Sequence, residues 1–211
     1  MSYTIFGDKG SGAFCVEAAL AEAGAPYEFK IISLEKNEQR EPSFLAINPS
    51  GKMPALRLPT GEVVTESAGL LLTIADRHPD AHLLPPAASA ERAQAFRWVA
   101  FMASELYPMV EISDYPDRFA PAGGEADGLR GKAQARLRER LMIVERQLAG
   151  PWFLSSGFSL VDIYAAMFAR WRGSLGRDWP VETNAPKLHA LGQALAARPA
   201  IAPVWARHFG A

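Results

Sequence analysis

Residues 48–56 read NPSGKMPAL, a turn-like string that leads into a short apolar segment. Met53-Pro54 immediately precedes ALRL at 55–58, which is a strand candidate. Proline is tolerated at the first residue of a strand because it need not donate a hydrogen bond there. An X-Pro bond in a tight turn can be cis, and it can leave the backbone of residue 53 exposed as a template for an extended peptide.

The segment before this turn predicts a β-α-β unit. YTIF at 3–6 and YEFKII at 27–32 are rich in aromatic and β-branched residues, which is typical of strands. The alanine-rich run 14–23 lies between them and is followed by Gly24, a normal signal for the end of a helix.

The segment after the turn predicts a β-β-α unit. ALRL at 55–58 and EVVT at 62–65 are separated by PTG, and a three-residue connection that contains glycine favours an antiparallel hairpin. Ser67 is a good N-cap for a helix that runs to about His78, where Pro79 ends it.

The second half of the chain differs from the first. Residues 79–89 (PDAHLLPPAAS) are proline-rich and lack periodicity, as expected of a linker. Beyond them strand signals vanish, and helical periodicity predicts an all-α region. We therefore expect a domain at 1–80, a linker at 81–89 and a helical domain at 90–211. The predicted helices are ERAQAFRWVAFMASELYPMVEI from Glu91, LRGKAQARLRERLMIVERQLAG to Gly150, SLVDIYAAMFARW from Ser159 and APKLHALGQALAAR from Ala185.

Composition excludes several classes of function. The formal net charge is −1, from 22 basic and 23 acidic side chains, so there is no basic surplus for nucleic-acid binding. One cysteine cannot form an internal disulfide, and MSYTIFGDKG lacks the regions of a signal peptide, so we expect a cytoplasmic protein. The apolar runs are too short to span a membrane, and the histidines lack metal-ligand spacing.

The string KGSGAFCVEAAL at 9–20 offers two candidate groups for thiol chemistry. Ser11 lies at or beside the predicted N-cap, where free N–H groups and the helix dipole favour an anion. Its hydroxyl either caps the helix only or donates a hydrogen bond to a bound thiolate, which lowers the pKa of that thiol. Cys15 lies about 6 Å further along the helix axis, roughly one turn from the free N–H groups. The sequence therefore favours Ser11 over Cys15.

The string TESAG begins the third predicted helix. Glu66 and Ser67 bring a carboxylate, a hydroxyl and free helix-end N–H groups together. Such a combination suits a ligand that carries both an amine and a carboxylate.

These strings together resemble the soluble glutathione transferases over essentially the whole chain. FLAINPSGKMPAL at 44–56, VTESAGLL at 64–71, His78-Pro79 and FSLVDIYAA at 158–166 carry the resemblance. It implies a thioredoxin-like α/β N-terminal domain followed by an all-α C-terminal domain, commonly as a homodimer. It also implies glutathione as a co-substrate and a small electrophile as the second substrate, with no metal.

The resemblance also implies roles for individual residues. Met53 pairs its backbone with the cysteinyl part of glutathione beside a cis Pro54, and Glu66 and Ser67 hold the γ-glutamyl end. Lys52 lies where the family often has a polar contact to the peptide.

The resemblance does not decide between two classes of the family, the theta-like and the beta class. Ser11 matches the thiol-activating serine of the theta-like branch. WVAFMASELYP at 98–108 is similar to the first C-terminal helix of beta-class members, which have a histidine where Tyr107 stands and a cysteine near position 11 that this chain lacks. Tyr107 either offers its hydroxyl to the leaving group or only packs. With Phe101 and Trp171 it is the expected lining of an apolar electrophile pocket between the domains.

Three functions are compatible with these residues. The first is a glutathione transferase in which Ser11 activates the thiol. The second is thiol-disulfide exchange with Cys15 as the nucleophile. The third is a non-catalytic member of the family that binds a ligand or a protein.

Asp162 in FSLVDIYAA is expected to serve folding rather than catalysis. Ser159 and Asp162 have the S-x-x-D spacing of a capping box, and the helix after them is apolar enough to be buried.

Overall fold

The computed structural model describes residues 2–122 and 124–210, which form two units. The described residues up to Leu84 and from Leu195 onward form the first unit, and Pro85–Ala194 form the second. The helices α1 to α11 span Ala13–Glu22, Pro42–Leu45, Ser67–Arg77, Ala90–Phe101, Tyr107–Asp114, Ala126–Gln147, Leu160–Arg170, Arg172–Leu175, Val181–Asn184, Pro186–Ala196 and Ala202–Phe209. None of the helices in the described residues is long and apolar enough to cross a bilayer.

The first unit contains a mixed four-stranded sheet in the order β2-β1-β3-β4. The strands are β1 (Tyr3–Gly7), β2 (Tyr27–Ile31), β3 (Ala55–Arg57) and β4 (Val63–Thr65). β1 is parallel to β2 and antiparallel to β3, and β3 and β4 form the predicted antiparallel hairpin. The predicted β-α-β and β-β-α units are therefore confirmed.

Helix α1 lies at the centre of the first unit. Its residues from Ala13 to Leu20 are all buried, and it packs against β1, α3 and α11. Because it is covered on several sides, even its one acidic residue in that stretch, Glu17, is fully buried.

The second unit is all-helical and is built around α7. Every residue from Leu160 to Ala169 is buried, and α7 packs against α4 and α6. The long helix predicted from Glu91 is interrupted by a π-helical stretch at Met102–Leu106. Pro108 accounts for the interruption, because proline lacks an N–H and its ring clashes with the carbonyl four residues earlier.

Helix α11 was not predicted, and it changes the division of the chain. The sequence assigned all of 90–211 to the helical domain, whereas the residues from Leu195 onward belong to the first unit. Aromatic contacts join α11 to α1. The ring centroid of Phe14 lies 4.7 Å from that of Phe209 and 5.6 Å from that of Trp205. Local periodicity cannot reveal such a long-range contact.

The predicted capping box at the start of α7 is confirmed. Ser159 accepts a hydrogen bond from Val161 N–H, and Asp162 Oδ2 accepts one from Ser159 N–H at 2.7 Å. Asp162 Oδ1 also accepts a hydrogen bond from Phe153 N–H at 2.6 Å, which ties the preceding loop to the helix. Burial raises the pKa of Asp162 to about 6, against the lowering effect of these donors.

We expect Asp162→Ala to lower the melting temperature by roughly 5–15 °C without a specific effect on turnover. The substitution leaves two buried N–H groups unpaired, at about 1–3 kcal/mol each. Asp127→Ala is the matched control, because Asp127 lies in the first turn of α6 with its side chain 94% exposed. Thermal denaturation followed by circular dichroism measures the difference. Normal melting with lost turnover would instead assign Asp162 to catalysis.

Candidate functional site

Three segments of the first unit leave the sheet at the same end. Ala55, the first residue of β3, lies opposite Phe6 of β1 on one side and Thr65 of β4 on the other. Because β3 is antiparallel to both neighbours, the segments that follow β1, precede β3 and follow β4 lie side by side. These segments carry the predicted site residues Ser11, Lys52, Met53, Pro54, Glu66 and Ser67.

Ser11 closes the loop that follows β1. Gly12 occupies the N-cap position of α1, and the Ser11 hydroxyl accepts a hydrogen bond from Ala13 N–H at 3.2 Å. The same hydroxyl donates to the backbone carbonyl of Asp8 at 2.7 Å. The Asp8 carboxylate in turn accepts from Leu34 N–H at 2.8 Å, which fixes the loop to the segment after β2. Ser11 is therefore held beside the start of α1 with its single proton directed at Asp8.

Cys15 lies inside α1 and is fully buried. Its thiol donates a hydrogen bond to the carbonyl of Gly12 at 3.1 Å. Burial raises the pKa of the Cys15 thiol far above its usual range. This environment opposes formation of the thiolate that a nucleophilic cysteine needs.

Met53 lies two residues before Ala55, the first residue of β3. The Met53-Pro54 peptide bond is cis, as the resemblance to the family implied. The Met53 side chain packs on the apolar cluster of Phe6, Phe44 and Ala55, which fixes the position of its main chain. Among residues 2–122 and 124–210, neither the N–H nor the C=O of Met53 makes a hydrogen bond. An unpaired strand-like backbone is a template for an extended peptide.

The loop before Met53 is held by Asn48, which the sequence analysis did not single out. Its Nδ2 donates to the Lys52 carbonyl at 2.6 Å, and its Oδ1 accepts from Ser50 N–H at 3.1 Å. Gly51 has a φ of +61°, and a side chain there would begin 2.9 Å from Arg40 Nη1. Any other side chain at Gly51 would be strained and would crowd Arg40. The Lys52 side chain that follows is exposed.

Glu66 and Ser67 lie at the start of α3. Glu66, rather than the predicted Ser67, occupies the N-cap position, and Ser67 is the first helical residue. Glu66 has a φ of 66°, a conformation that residues other than glycine rarely adopt and that clusters at ligand-binding positions. Its side chain is exposed, whereas Ser67 is buried.

The aromatic residues expected in the electrophile pocket all belong to the second unit, where two of them meet. The ring centroids of Tyr107 and Trp171 lie 5.5 Å apart. Both rings also contact Phe168, with centroid distances of 5.0 Å from Tyr107 and 5.2 Å from Trp171. Phe101 instead packs on Trp98 at 5.5 Å. The structure thus joins Tyr107 with Trp171 and places Phe101 in a different aromatic pair.

Across the described part of the chain, no group of three or more His, Cys, Asp or Glu side chains is arranged to hold a metal ion.

Both halves of the chain match known families. Residues 13–77 match the glutathione S-transferase N-terminal domain, and residues 100–199 match the glutathione S-transferase C-terminal domain. The chain is 31% identical over 207 residues to an uncharacterized GST-like protein, YncG, of Escherichia coli K12, covering 97% of each chain. It is 27% identical to glutathione S-transferase GstA of Escherichia coli O157:H7, over 79% of this chain and 81% of that protein.

Solved structures give the same result. A glutathione transferase homologue from Sulfitobacter with bound glutathione superposes with a TM-score of 0.89 at 28% identity, covering 99% of both chains. A Burkholderia graminis glutathione transferase with two glutathione molecules per subunit gives a TM-score of 0.78 at 26% identity, over 97% of this chain and 88% of that one. Sequence and fold agree along the whole length, so this chain belongs to the glutathione S-transferase family.

Proposed function

We propose that this protein is a glutathione transferase that activates the glutathione thiol through Ser11 and transfers the sulfur to a small apolar electrophile. One observation carries the proposal: the unpaired backbone of Met53 lies between the Ser11 loop and the start of α3 at one end of the sheet. Membership of the family and the glutathione-bound homologue from Sulfitobacter support glutathione as the ligand.

The dimensions of this end of the sheet support an extended tripeptide. Neighbouring strands lie about 4.8 Å apart, so the distance from β1 to β4 is about 10 Å. Three extended residues also span at most about 10 Å. In the proposed complex the cysteinyl residue pairs with the backbone of Met53, which directs its sulfur towards Ser11 and the γ-glutamyl group towards Glu66.

The charges at the start of α3 support binding of the γ-glutamyl end. This group carries an ammonium and a carboxylate. The exposed Glu66 carboxylate can accept from the ammonium, and the Ser67 hydroxyl with the first N–H groups of α3 can donate to the carboxylate. The exposed Lys52 ammonium offers a contact to the peptide's other carboxylate.

Activation requires the Ser11 hydroxyl to change partners. A thiolate is a charged acceptor and attracts a hydroxyl proton more strongly than the neutral Asp8 carbonyl does. Each unit by which the thiol pKa falls is worth about 1.4 kcal/mol and raises the thiolate fraction. The sulfur then bonds to the electrophilic carbon, the leaving group departs with the electrons of its own bond, and the thiol proton passes to solvent.

The electrophile is proposed to contact Tyr107 and Trp171. Their mutual contact supports a joint role, since an edge-to-face pair with ring centroids 5.5 Å apart forms an apolar surface with one hydroxyl beside it. Phe101 packs on Trp98 and not on this pair, so we propose that it contacts the electrophile separately from Tyr107 and Trp171.

We expect the wild-type protein to bind glutathione at millimolar concentration or below, and Glu66→Gln to weaken this binding about tenfold. The substitution removes the charge that faces the ammonium, at a cost of about 1.4 kcal/mol. Glu62→Gln is the matched control, since Glu62 is an exposed glutamate at the other end of β4. Isothermal titration calorimetry measures both variants. Absence of binding by the wild type, or equal losses in the two variants, contradicts the proposed site.

We expect Ser11→Ala to lower kcat/KM for glutathione conjugation by about a hundredfold, and Cys15→Ala to change it by only a few-fold. Loss of one donor to a developing anion has an effect of about this size, whereas Cys15 is buried and lacks a reactive thiolate. Ser11→Thr keeps a hydroxyl and should recover part of the activity. Steady-state assays with a halogenated nitroaromatic electrophile test the ranking. The reverse ranking would favour thiol-disulfide exchange through Cys15.

The proposal includes a homodimer in the cytoplasm, which the resemblance to the family supports. We expect light scattering to give about twice the chain mass of 22.9 kDa. A monomer at micromolar concentration would contradict the proposed assembly.

A further inference from the structure

The C-terminal helix contacts the loop that carries Ser11. Gly10, the residue before Ser11, donates its backbone N–H to Nδ1 of His208 in α11 at 3.1 Å. The His208 carbonyl lies 3.6 Å from the position where a side chain on Gly10 would begin. Gly10 has a φ of +70°, so the loop bends sharply at the contact.

A buried carboxylate fixes the proton of the His208 ring. Since Nδ1 accepts from Gly10, the neutral ring carries its proton on Nε2, which donates to Glu17 Oε2 at 2.8 Å. Arg207 donates to Glu17 Oε1, and the Tyr27 hydroxyl donates to the same oxygen at 2.9 Å. Burial and the neighbouring carboxylate raise the pKa of Tyr27 to about 12. The carboxylate is thus paired, and it selects the tautomer that leaves Nδ1 free to accept from Gly10.

Aromatic side chains restrict the orientation of the same ring. The His208 side chain is fully buried, with its ring 5.5 Å from Phe14 and 5.7 Å from Phe29, both in edge contact. The ring is therefore held by packing on its sides and by a hydrogen bond at each nitrogen. It cannot rotate away from Gly10 without also breaking its hydrogen bond to Glu17 Oε2.

Docking of the C-terminal segment does not depend on the contact with Gly10. Arg198 forms an ion pair with Glu22 near the end of α1, with Nε 3.2 Å from Oε2, far along the helix from the loop. The rings of Trp205 and Phe209 pack on Phe14. The hydrogen bond between Gly10 and His208 is therefore not needed to hold α11 in place, and its main effect is to orient the loop.

We propose that His208 is a positioning residue for Ser11. It acts through the Gly10 amide, and Glu17 keeps its ring in the tautomer that can accept. This role in the reaction rests on the proposed function of Ser11, whereas the effect on the loop itself does not. The C-terminal helix thus tunes how the bound glutathione thiol is activated without touching it.

Two substitutions at this position separate positioning from packing. In His208→Asn the side-chain oxygen can take the place of Nδ1 and accept from Gly10, but the donor to Glu17 is lost. In His208→Gln the amide can take the place of Nε2 and donate to Glu17, but the acceptor for Gly10 is lost. Both variants lose one hydrogen bond and the aromatic ring, so a general loss of stability affects both. Arg198→Ala is the control, because it weakens docking of the same segment away from the loop.

Two measurements test the role of His208 in these variants. Amide hydrogen exchange of Gly10, followed by NMR, reports on the loop without any ligand. We expect exchange about fivefold faster in His208→Gln and close to wild type in His208→Asn and Arg198→Ala. The ultraviolet absorbance of the thiolate, titrated against pH with saturating glutathione, should show a higher pKa of the bound thiol in His208→Gln alone.

The outcomes distinguish this inference from the proposed function. Equal Gly10 exchange in the Asn and Gln variants overturns the role of His208, whether or not glutathione binds. If exchange separates the variants but the pKa of the bound thiol does not change, positioning of Ser11 by His208 is overturned. If the wild-type protein fails to bind glutathione or to lower its thiol pKa, the proposed function fails, and with it the role of His208 in the reaction.

Discussion

The pairing of β1 with β3 is the constraint on which the candidate site depends. Phe6 opposite Ala55 brings the loop after β1 beside the turn at Met53. A shift of one residue would turn every β3 side chain to the opposite face of the sheet and bury the wrong set. The apolar cluster of Phe6, Phe44 and Ala55 resists that shift and also holds the Met53 side chain. Packing beneath the sheet thereby fixes the backbone of Met53, which we propose as the partner of the bound peptide.

The loop after β1 is stabilised by contacts from distant parts of the chain. The Asp8 carboxylate binds Leu34 N–H, and Gly10 N–H binds His208. Each contact uses a backbone amide that lies outside helix α1 and the sheet, so the loop gains hydrogen bonds beyond those of regular secondary structure. The fully buried Glu17 pairs with α11 from within α1. Burial of a carboxylate is unfavourable unless the carboxylate is paired. Because residues of α11 pair with Glu17, the position of α11 is coupled to that of α1.

Local signals predicted much of this architecture. Gly24 and the Ser159–Asp162 spacing act on neighbouring residues, so the end of α1 and the capping box could be predicted from the sequence. The cis bond before Pro54 was implied by the family resemblance, because a proline in a turn allows either isomer. The contact between Glu17 and His208 spans most of the chain, and no local periodicity encodes it. The sequence predicted Ser67 as the N-cap of α3, one residue later than the Glu66 of the structure. Glu66 adopts a positive φ, which a glutamate does not favour, so its residue type gave no signal for this position.

A crystal structure of the complex with glutathione tests the central claim most directly. The account predicts an extended tripeptide whose cysteinyl N–H and C=O pair with the Met53 backbone, with its sulfur within hydrogen-bond distance of the Ser11 hydroxyl. In that complex the hydroxyl has rotated away from the Asp8 carbonyl that it contacts in the free protein. A sulfur out of reach of Ser11, or a glutathione bound away from Met53, would contradict it.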